Sequence, residues 1–308
     1  MASTTPQVWL ITGCSTGLGA SLAIHALKAG HAVIATARNP SSAPSYTQIS
    51  SLGGKWLPLD VTSPTAGDVV QEAVKLAGRI DVLVNNAGYS ILGAMEDISF
   101  VPSPPLSSYG ACTCSAVSGD EEAHAQLETN FFGPLRLIRA VLPVMREQKA
   151  GTIVNVSSVA GVDSLPSSAL YAASKFALEG ASEALAREVS PFGIRVLIVE
   201  PGAFRTQFLA SFQSPRSGMN PAYENTPTGK TLIIMSGLNG TQRGDVEKGV
   251  SVIFDVVMKS GVASGVEREV LRLPLGIDCV GRYEKKVESM RADLEAVRPF
   301  ITGLDIEG

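Results

Sequence analysis

Tyr171 and Lys175 stand four residues apart, a spacing that places both on one face of a helix. A phenol ordinarily titrates near pH 10 (about 10), and a neighbouring ammonium stabilises its charged form. The pair therefore predicts a tyrosine whose pKa is lowered toward neutrality, able to exchange a proton with a carbonyl or an alcohol. Ser158 closes an apolar run 13 residues upstream of Tyr171 and offers a hydroxyl to the same oxygen. A Tyr–Lys pair by itself usually marks only a solvated helix face. Its company in this chain gives it a different meaning.

That company begins with Thr12-Gly13-Cys14-Ser15-Thr16-Gly17-Leu18-Gly19, set between an apolar run and a helical pattern. Glycines there let the backbone approach a pyrophosphate, and the helix start offers unpaired N–H groups. The segment Thr36-Ala37-Arg38-Asn39 closes the next apolar run with a guanidinium and no carboxylate. A carboxylate would bind a ribose 2′-hydroxyl, whereas Arg38 suits a 2′-phosphate, so NADP(H) is expected over NAD(H). Asp60-Val61 closes the third run within reach of an adenine, and Asn85-Asn86-Ala87-Gly88 closes the fourth.

These groups need a scaffold that brings strand ends together. Short apolar runs at Val8–Thr12, His31–Ala37, Lys55–Leu59, Asp81–Val84, Thr152–Val156 and Arg195–Val199 read as buried strands. Helical patterns at Leu18–Leu27, Gly67–Ala77, Glu121–Gln148 and Ala169–Val189 lie between them. Gly30 suits the end of the first helix. Alternation of this kind predicts an α/β fold, a doubly wound parallel sheet covered on both faces. Residues 204–243 loosen into Ser, Gly, Asn, Thr and Pro, and predict a long loop with one or two short helices, a candidate substrate lid. Helices are expected again at Asp245–Ser260 and at Tyr283–Val297, the latter ended by Pro299.

The chain has 308 residues, of which 45% are hydrophobic and 18% charged, enough apolar material for a sizeable core. A single domain spanning 1–308 is expected. The formal net charge is −4, and no Lys/Arg cluster marks a nucleic-acid partner. No apolar run is long enough to suggest a membrane span, and MASTTPQ lacks the basic start of a signal peptide, so a cytoplasmic protein is expected. Four cysteines and three histidines form no metal-ligand spacing.

Taken together, the sequence resembles a short-chain dehydrogenase/reductase with the Rossmann fold. The resemblance rests on TGCSTGLG at 12–19, NNAG at 85–88, Asn130 in ETNFFG, Ser158 in NVSSVAG, YAASK at 171–175 and PGAFRT at 201–206. The intervals fit too: 28 residues from Asn130 to Ser158, 13 to Tyr171 and 4 to Lys175. That register selects Ser158 over Ser157. The resemblance implies Tyr171 as general acid/base and Lys175 as the group that lowers its pKa and holds the nicotinamide ribose. It implies Ser158 as carbonyl orienter and Asn130 as anchor of a water relay. Pro201, Gly202 and Thr206 would contact the nicotinamide end. The wording IATARNP, VEPGAFRT and LRLPLG resembles an NADP-linked subgroup. The expected activity is NADPH-dependent reduction of a ketone or aldehyde, in biosynthesis or detoxification. A homodimer or homotetramer is implied, paired through Ala169–Val189 and Glu121–Gln148. An intact site of this kind also permits epimerisation or cyclisation of a biosynthetic intermediate; a non-catalytic NADP(H)-sensing module would have no need of the tetrad.

One stretch departs from the pattern. Asn86 and Asn130 are 44 residues apart, and the surplus is Phe100–Gly119, a serine-rich run with three prolines, two cysteines and no charge. Its removal joins Ser99 to Asp120 and gives a clean capping box with Glu122, but Ser118 and Glu121 supply the same signature with the insertion present. The clean junction favours a retained intron over a surface loop that reaches across the site. Among the lid residues, Phe208, Leu209, Phe212, Met219 and Tyr223 fit an apolar or aromatic substrate, or equally a lid packed to the body.

Overall fold

The computed structural model describes residues 5–98, 121–304 and 306. The insertion at 100–119, with Cys112, Cys114 and the capping reading at Ser118, lies outside the described residues.

Among the described residues seven strands form one parallel sheet. They are β1 (Val8–Ile11), β2 (Ala32–Ala37), β3 (Lys55–Pro58), β4 (Val82–Asn85), β5 (Gly151–Val156), β6 (Ile194–Pro201) and β7 (Arg272–Leu275). Their order is β3-β2-β1-β4-β5-β6-β7, so the winding reverses between β1 and β4. Ligands of such sheets bind at that reversal, beyond the carboxyl ends of the strands. The helices are α1 (Gly17–Lys28), α2 (Tyr46–Ser51), α3 (Asp68–Ala77), α4 (Glu121–Leu127), α5 (Gly133–Gln148), α6 (Ala169–Val189), α7 (Pro227–Gly237), α8 (Val246–Met258) and α9 (Ile277–Ile301).

Successive strand side chains point to opposite faces, which is why the strands are apolar throughout rather than alternating. Trp9 and Ile11 face one way and pack with Leu22 and Ala26 of α1 and Ile253 and Phe254 of α8. Val8 and Leu10 face the other way, with Val70 of α3, Val141 and Met145 of α5 and Leu185 of α6. Both layers are closed to water, and the sheet becomes a rigid shelf whose carboxyl edge carries the polar residues.

The fold is the doubly wound sheet expected, with two elements missed and two misjudged. β7 is short, and Pro274 obscures it; a proline lacking an N–H is tolerated because β7 is an edge strand. α2 has little apolar periodicity and buries only Ile49. α9 is longer than the stretch Tyr283–Val297 and does not stop before Pro299, which lies in its last turn where only its own N–H bond is lost. The span Glu121–Gln148 is not one regular helix: Glu128–Phe132 forms a π-helical turn between α4 and α5. Residues 204–243 contain α7 and short 3₁₀ turns at Leu209–Ser211 and Pro221–Tyr223. No helix among the described residues is long and apolar enough to cross a membrane.

Candidate active site

The glycine turn links β1 to α1. Gly13 and Gly17 hold positive φ, 69° and 64°, where a side chain would be strained. Gly19 is constrained from outside: a Cβ there would stand 2.6 Å from the Gly13 carbonyl oxygen and inside the Asn86 side chain. Asn86 is what braces the turn. Its amide nitrogen donates to the carbonyls of Thr12 at 2.8 Å and Gly13 at 3.2 Å. In return the Thr12 hydroxyl accepts from the backbone N–H groups of Asn86 and Ala87, both at 2.9 Å. Thr12 opens the glycine motif quoted from the sequence, but no role is assigned to it there; the structure shows it buried and bracing the turn.

The start of α1 suits an anion. Thr16 caps it without a side-chain hydrogen bond, and its first turn carries no acidic residue. The N–H groups of that turn are therefore left for an outside acceptor. Ser15, Thr16 and Leu18 lie along this turn. Gly17 faces Thr206, whose Cβ would be 3.5 Å from an added Gly17 Cβ. Between the turn and the 204–243 segment opens a cleft of about 370 Å³, lined by Gly17, Ser21, Arg205, Thr206 and Asn239 among others.

Arg38 is exposed just past β2, and its charge reaches Asp60 at the end of β3. Asp60 accepts from the Thr62 backbone N–H at 2.9 Å and hydroxyl at 2.7 Å. Those two bonds, with Arg38 adding to them, hold its carboxyl below the usual range. Val61, beside it, is buried under Gly133. The donor set fits a dinucleotide: an open helix start for the diphosphate, an exposed guanidinium at one end and strand-end amides at the other.

Asn130 sits inside the π turn, fully buried. Such turns recur at functional sites because the extra residue re-aims a side chain. Here Asn130 clasps Tyr89, accepting from its N–H at 3.1 Å and donating to its carbonyl at 2.9 Å. It also donates to the Ser174 hydroxyl at 3.1 Å, and Ser174 donates onward to the Tyr171 carbonyl at 2.7 Å. Ser174, inside YAASK, and Tyr89, directly after NNAG, are given no role from the sequence, because that role depends on this clasp.

Ser158, Tyr171 and Lys175 meet at the carboxyl ends of β4 and β5. Ser158 follows β5 in extended conformation, and its oxygen accepts the Ala160 N–H at 3.1 Å. Tyr171 is buried on the first turn of α6, its ring 5.8 Å from that of Phe208, centre to centre. Lys175 donates to the Val156 carbonyl at 2.8 Å and stands 5.9 Å from the centre of the Tyr171 ring. Gly88 lies between Asn130 and Lys175: an added Cβ would be 3.1 Å from Asn130 Oδ1 and 3.7 Å from Lys175 Nζ. Pro201 ends β6, and Gly202 follows against Asp278, which accepts the Ala203 N–H at 2.7 Å.

The electrostatics overturn one expectation. Burial pushes the Tyr171 phenol up to about 12, with the Ser158 hydroxyl partly opposing. The pKa is not lowered toward neutrality, because the phenol is shut away from water and burial outweighs the Ser158 hydrogen bond. Lys175 itself is pushed down to about 8 by burial, against the opposing charge of Glu179.

Comparison with known proteins bears on this geometry. The family model described as short chain dehydrogenase matches residues 7–217. The chain is 44% identical to oxidoreductase claN of Passalora fulva over 237 residues, 76% of this chain and 98% of that one. It is 40% identical to the 3-ketodihydrosphingosine reductase of Bacteroides thetaiotaomicron over 223 residues, 72% of this chain and 73% of that one. The crystal structure of a short-chain dehydrogenase from Streptomyces avermitilis superposes with a TM-score of 0.78 at 35% identity, covering 98% of this chain and 100% of the other. The chain, with its parallel sheet, braced glycine turn and Ser–Tyr–Lys cluster, belongs to the short-chain dehydrogenase/reductase family, oxidoreductases of the CH–OH/C=O bond.

Proposed function

We propose that the protein reduces a ketone or aldehyde to an alcohol with NADPH. The observation that carries this is a buried phenol beside Ser158, with the Lys175 ammonium 5.9 Å from its ring centre, on the same carboxyl edge of the sheet as the turn braced by Asn86. Bound NADPH supplies the hydride. Tyr171 donates its phenolic proton to the carbonyl oxygen, and the Ser158 hydroxyl holds that oxygen by a hydrogen bond. A phenol raised to about 12 keeps its proton throughout the neutral range, the state reduction needs. Lys175, charged below about pH 8, faces the phenolate that forms and stabilises it, and the phenol is restored by a proton drawn from solvent by way of Asn130.

Arg38 holds the 2′-phosphate in this account, and its exposure leaves the guanidinium open to it. Gly13, Ser15, Thr16, Gly17, Leu18 and Gly19 cradle the diphosphate. Asp60 and Val61 border the adenine; Asn86, Ala87, Gly88, Pro201, Gly202 and Thr206 border the nicotinamide half. Residues 204–243 form the substrate lid, and Phe208 against Tyr171 supports an apolar substrate. The 3-ketone in the name of the Bacteroides relative fits a carbonyl substrate of that kind. Pairing of two copies through α5 and α6 would cover Phe132 and Phe176, which are exposed there.

The test is a titration of NADPH and NADH into the full-length chain, followed by the fluorescence of Trp9 and Trp56. NADPH-selective binding supports the cofactor assignment. Binding of neither, or preference for NADH, removes it.

A further inference from the structure

A second cluster of charge lies behind the Ser–Tyr–Lys group, on the far side from the expected substrate. Its centre is Glu179, one helical turn beyond Lys175 on α6 and almost fully buried. Ser157, the residue before Ser158, donates its hydroxyl to Glu179 Oε1 at 2.6 Å. Gly161 closes over this contact: an added Cβ would lie 2.6 Å from Ser157 Oγ and inside the Glu179 carboxylate. The loop that carries Ser158 is thus pinned to α6 by one carboxylate and sealed by one glycine.

Arg272 of β7 fixes that carboxylate from the other side. Its guanidinium pairs with Glu179, with Glu183 at 2.6 Å and with Glu200 at 2.6 Å. Glu200 is fully buried directly before Pro201, and among the described residues no donor reaches its second oxygen. Tyr283 and Cys279 face the same carboxylates from α9. One guanidinium serves three carboxylates, and burial with the Glu179 charge pushes the Glu200 carboxyl up to about 7. The charge of Glu179 opposes the effect of burial on Lys175. The groups facing Lys175 are then Tyr171 and Glu179 on its own helix, Asn130 across Gly88 and the Val156 carbonyl of β5.

We propose that Glu179 is a positioning residue for the reaction, fixing the strand end that presents Ser158 through Ser157 and keeping Lys175 charged from one helical turn away. The proposal rests on the carbonyl-reductase reading for its kinetic part, and otherwise on the Ser157–Glu179 hydrogen bond and on the one-turn spacing of Glu179 from Lys175, whose burial its charge opposes. Arg272 and Glu200 act through Glu179 and touch no reacting atom.

The test follows the titration of Lys175 by NMR in full-length protein carrying carbon-13 lysine, beside the pH profile of NADPH-dependent carbonyl reduction. Glu179→Gln removes the charge, and the Lys175 midpoint should fall by about one pH unit, the lower end of what a near opposite charge supplies. The alkaline limb of kcat/KM should move to lower pH with it. Glu179→Asp keeps the charge but no longer reaches Ser157, so the midpoint should stay near wild type while kcat falls. Ser157→Ala, a milder change, should lower kcat between about 10- and 100-fold without lowering the Lys175 midpoint, as small misplacements of a reacting group do. A Lys175 midpoint alike in wild type and Glu179→Gln, or an unchanged kcat in Ser157→Ala, overturns the proposal. If wild type reduces no carbonyl while the Lys175 midpoint still falls in Glu179→Gln, the electrostatic coupling stands and the reductase reading fails.

Discussion

The Lys175 ammonium stands 5.9 Å from the centre of the Tyr171 ring and gives its hydrogen bond to Val156, not to the phenol. Both groups are driven toward neutrality, the phenol up to about 12 and the ammonium down to about 8. A protonated donor beside a marginally charged lysine suits proton delivery to a carbonyl.

Tyr171→Phe removes that donor and little else, since the ring and its contact with Phe208 remain. Turnover should fall by about 10²–10⁴-fold, the usual worth of a positioned acid. NADPH binding in the same variant should stay near wild type. Turnover within a few-fold of wild type would remove Tyr171 from the proton path.

Arg38→Asp places a carboxylate where the guanidinium stands, beside Asp60. It should repel a 2′-phosphate and accept a ribose 2′-hydroxyl, reversing the preference from NADPH to NADH. The ratio of the two kcat/KM values reads this out. An unchanged ratio would assign discrimination to another residue.

Gly19→Ala puts a methyl against the Gly13 carbonyl and the Asn86 amide, which ties β4 to the turn. Neither is the free end of a flexible chain, so the turn must shift. Overpacking of this kind costs about 1–3 kcal/mol. Both a lowered Tm and a loss of cofactor binding are expected; wild-type affinity by fluorescence titration would show that the turn does not hold the diphosphate.

Glu200→Gln should change how stability depends on pH. The folded protein holds the Glu200 proton to about pH 7, whereas the unfolded chain releases it near 4.5, the ordinary glutamate value. Stability from this group is fully present below pH 4.5 and is lost as pH rises to 7. The Tm gap between wild type and variant should therefore shift against wild type across that window, by roughly 2–4 °C. Parallel melting curves across that range would mean that Glu200 is ionised throughout.

The strands nearest the site were legible in the sequence because both their faces are buried. Trp9 and Leu10 in β1, and Leu83 and Val84 in β4, point into opposite layers, leaving no polar alternation to blur the pattern. The site residues were legible because their spacing along α6 and their strand ends are local properties. What was hidden is non-local. Arg272 meets Glu179 only because β7 pairs with β6, and a four-residue edge strand with a proline gives almost no periodic signal. The direction of the Tyr171 pKa depends on burial, to which Phe208 contributes from beyond β6. A helix spacing can report that an ammonium is near; it cannot report that both groups are dry.

The most direct test of the account is the stoichiometry of the reaction. Full-length protein with NADPH and a panel of apolar ketones and aldehydes should form one alcohol for each NADPH consumed, and Tyr171→Phe should nearly abolish both. Product formed without net NADPH consumption, or no consumption with any carbonyl despite tight NADPH binding, would contradict it.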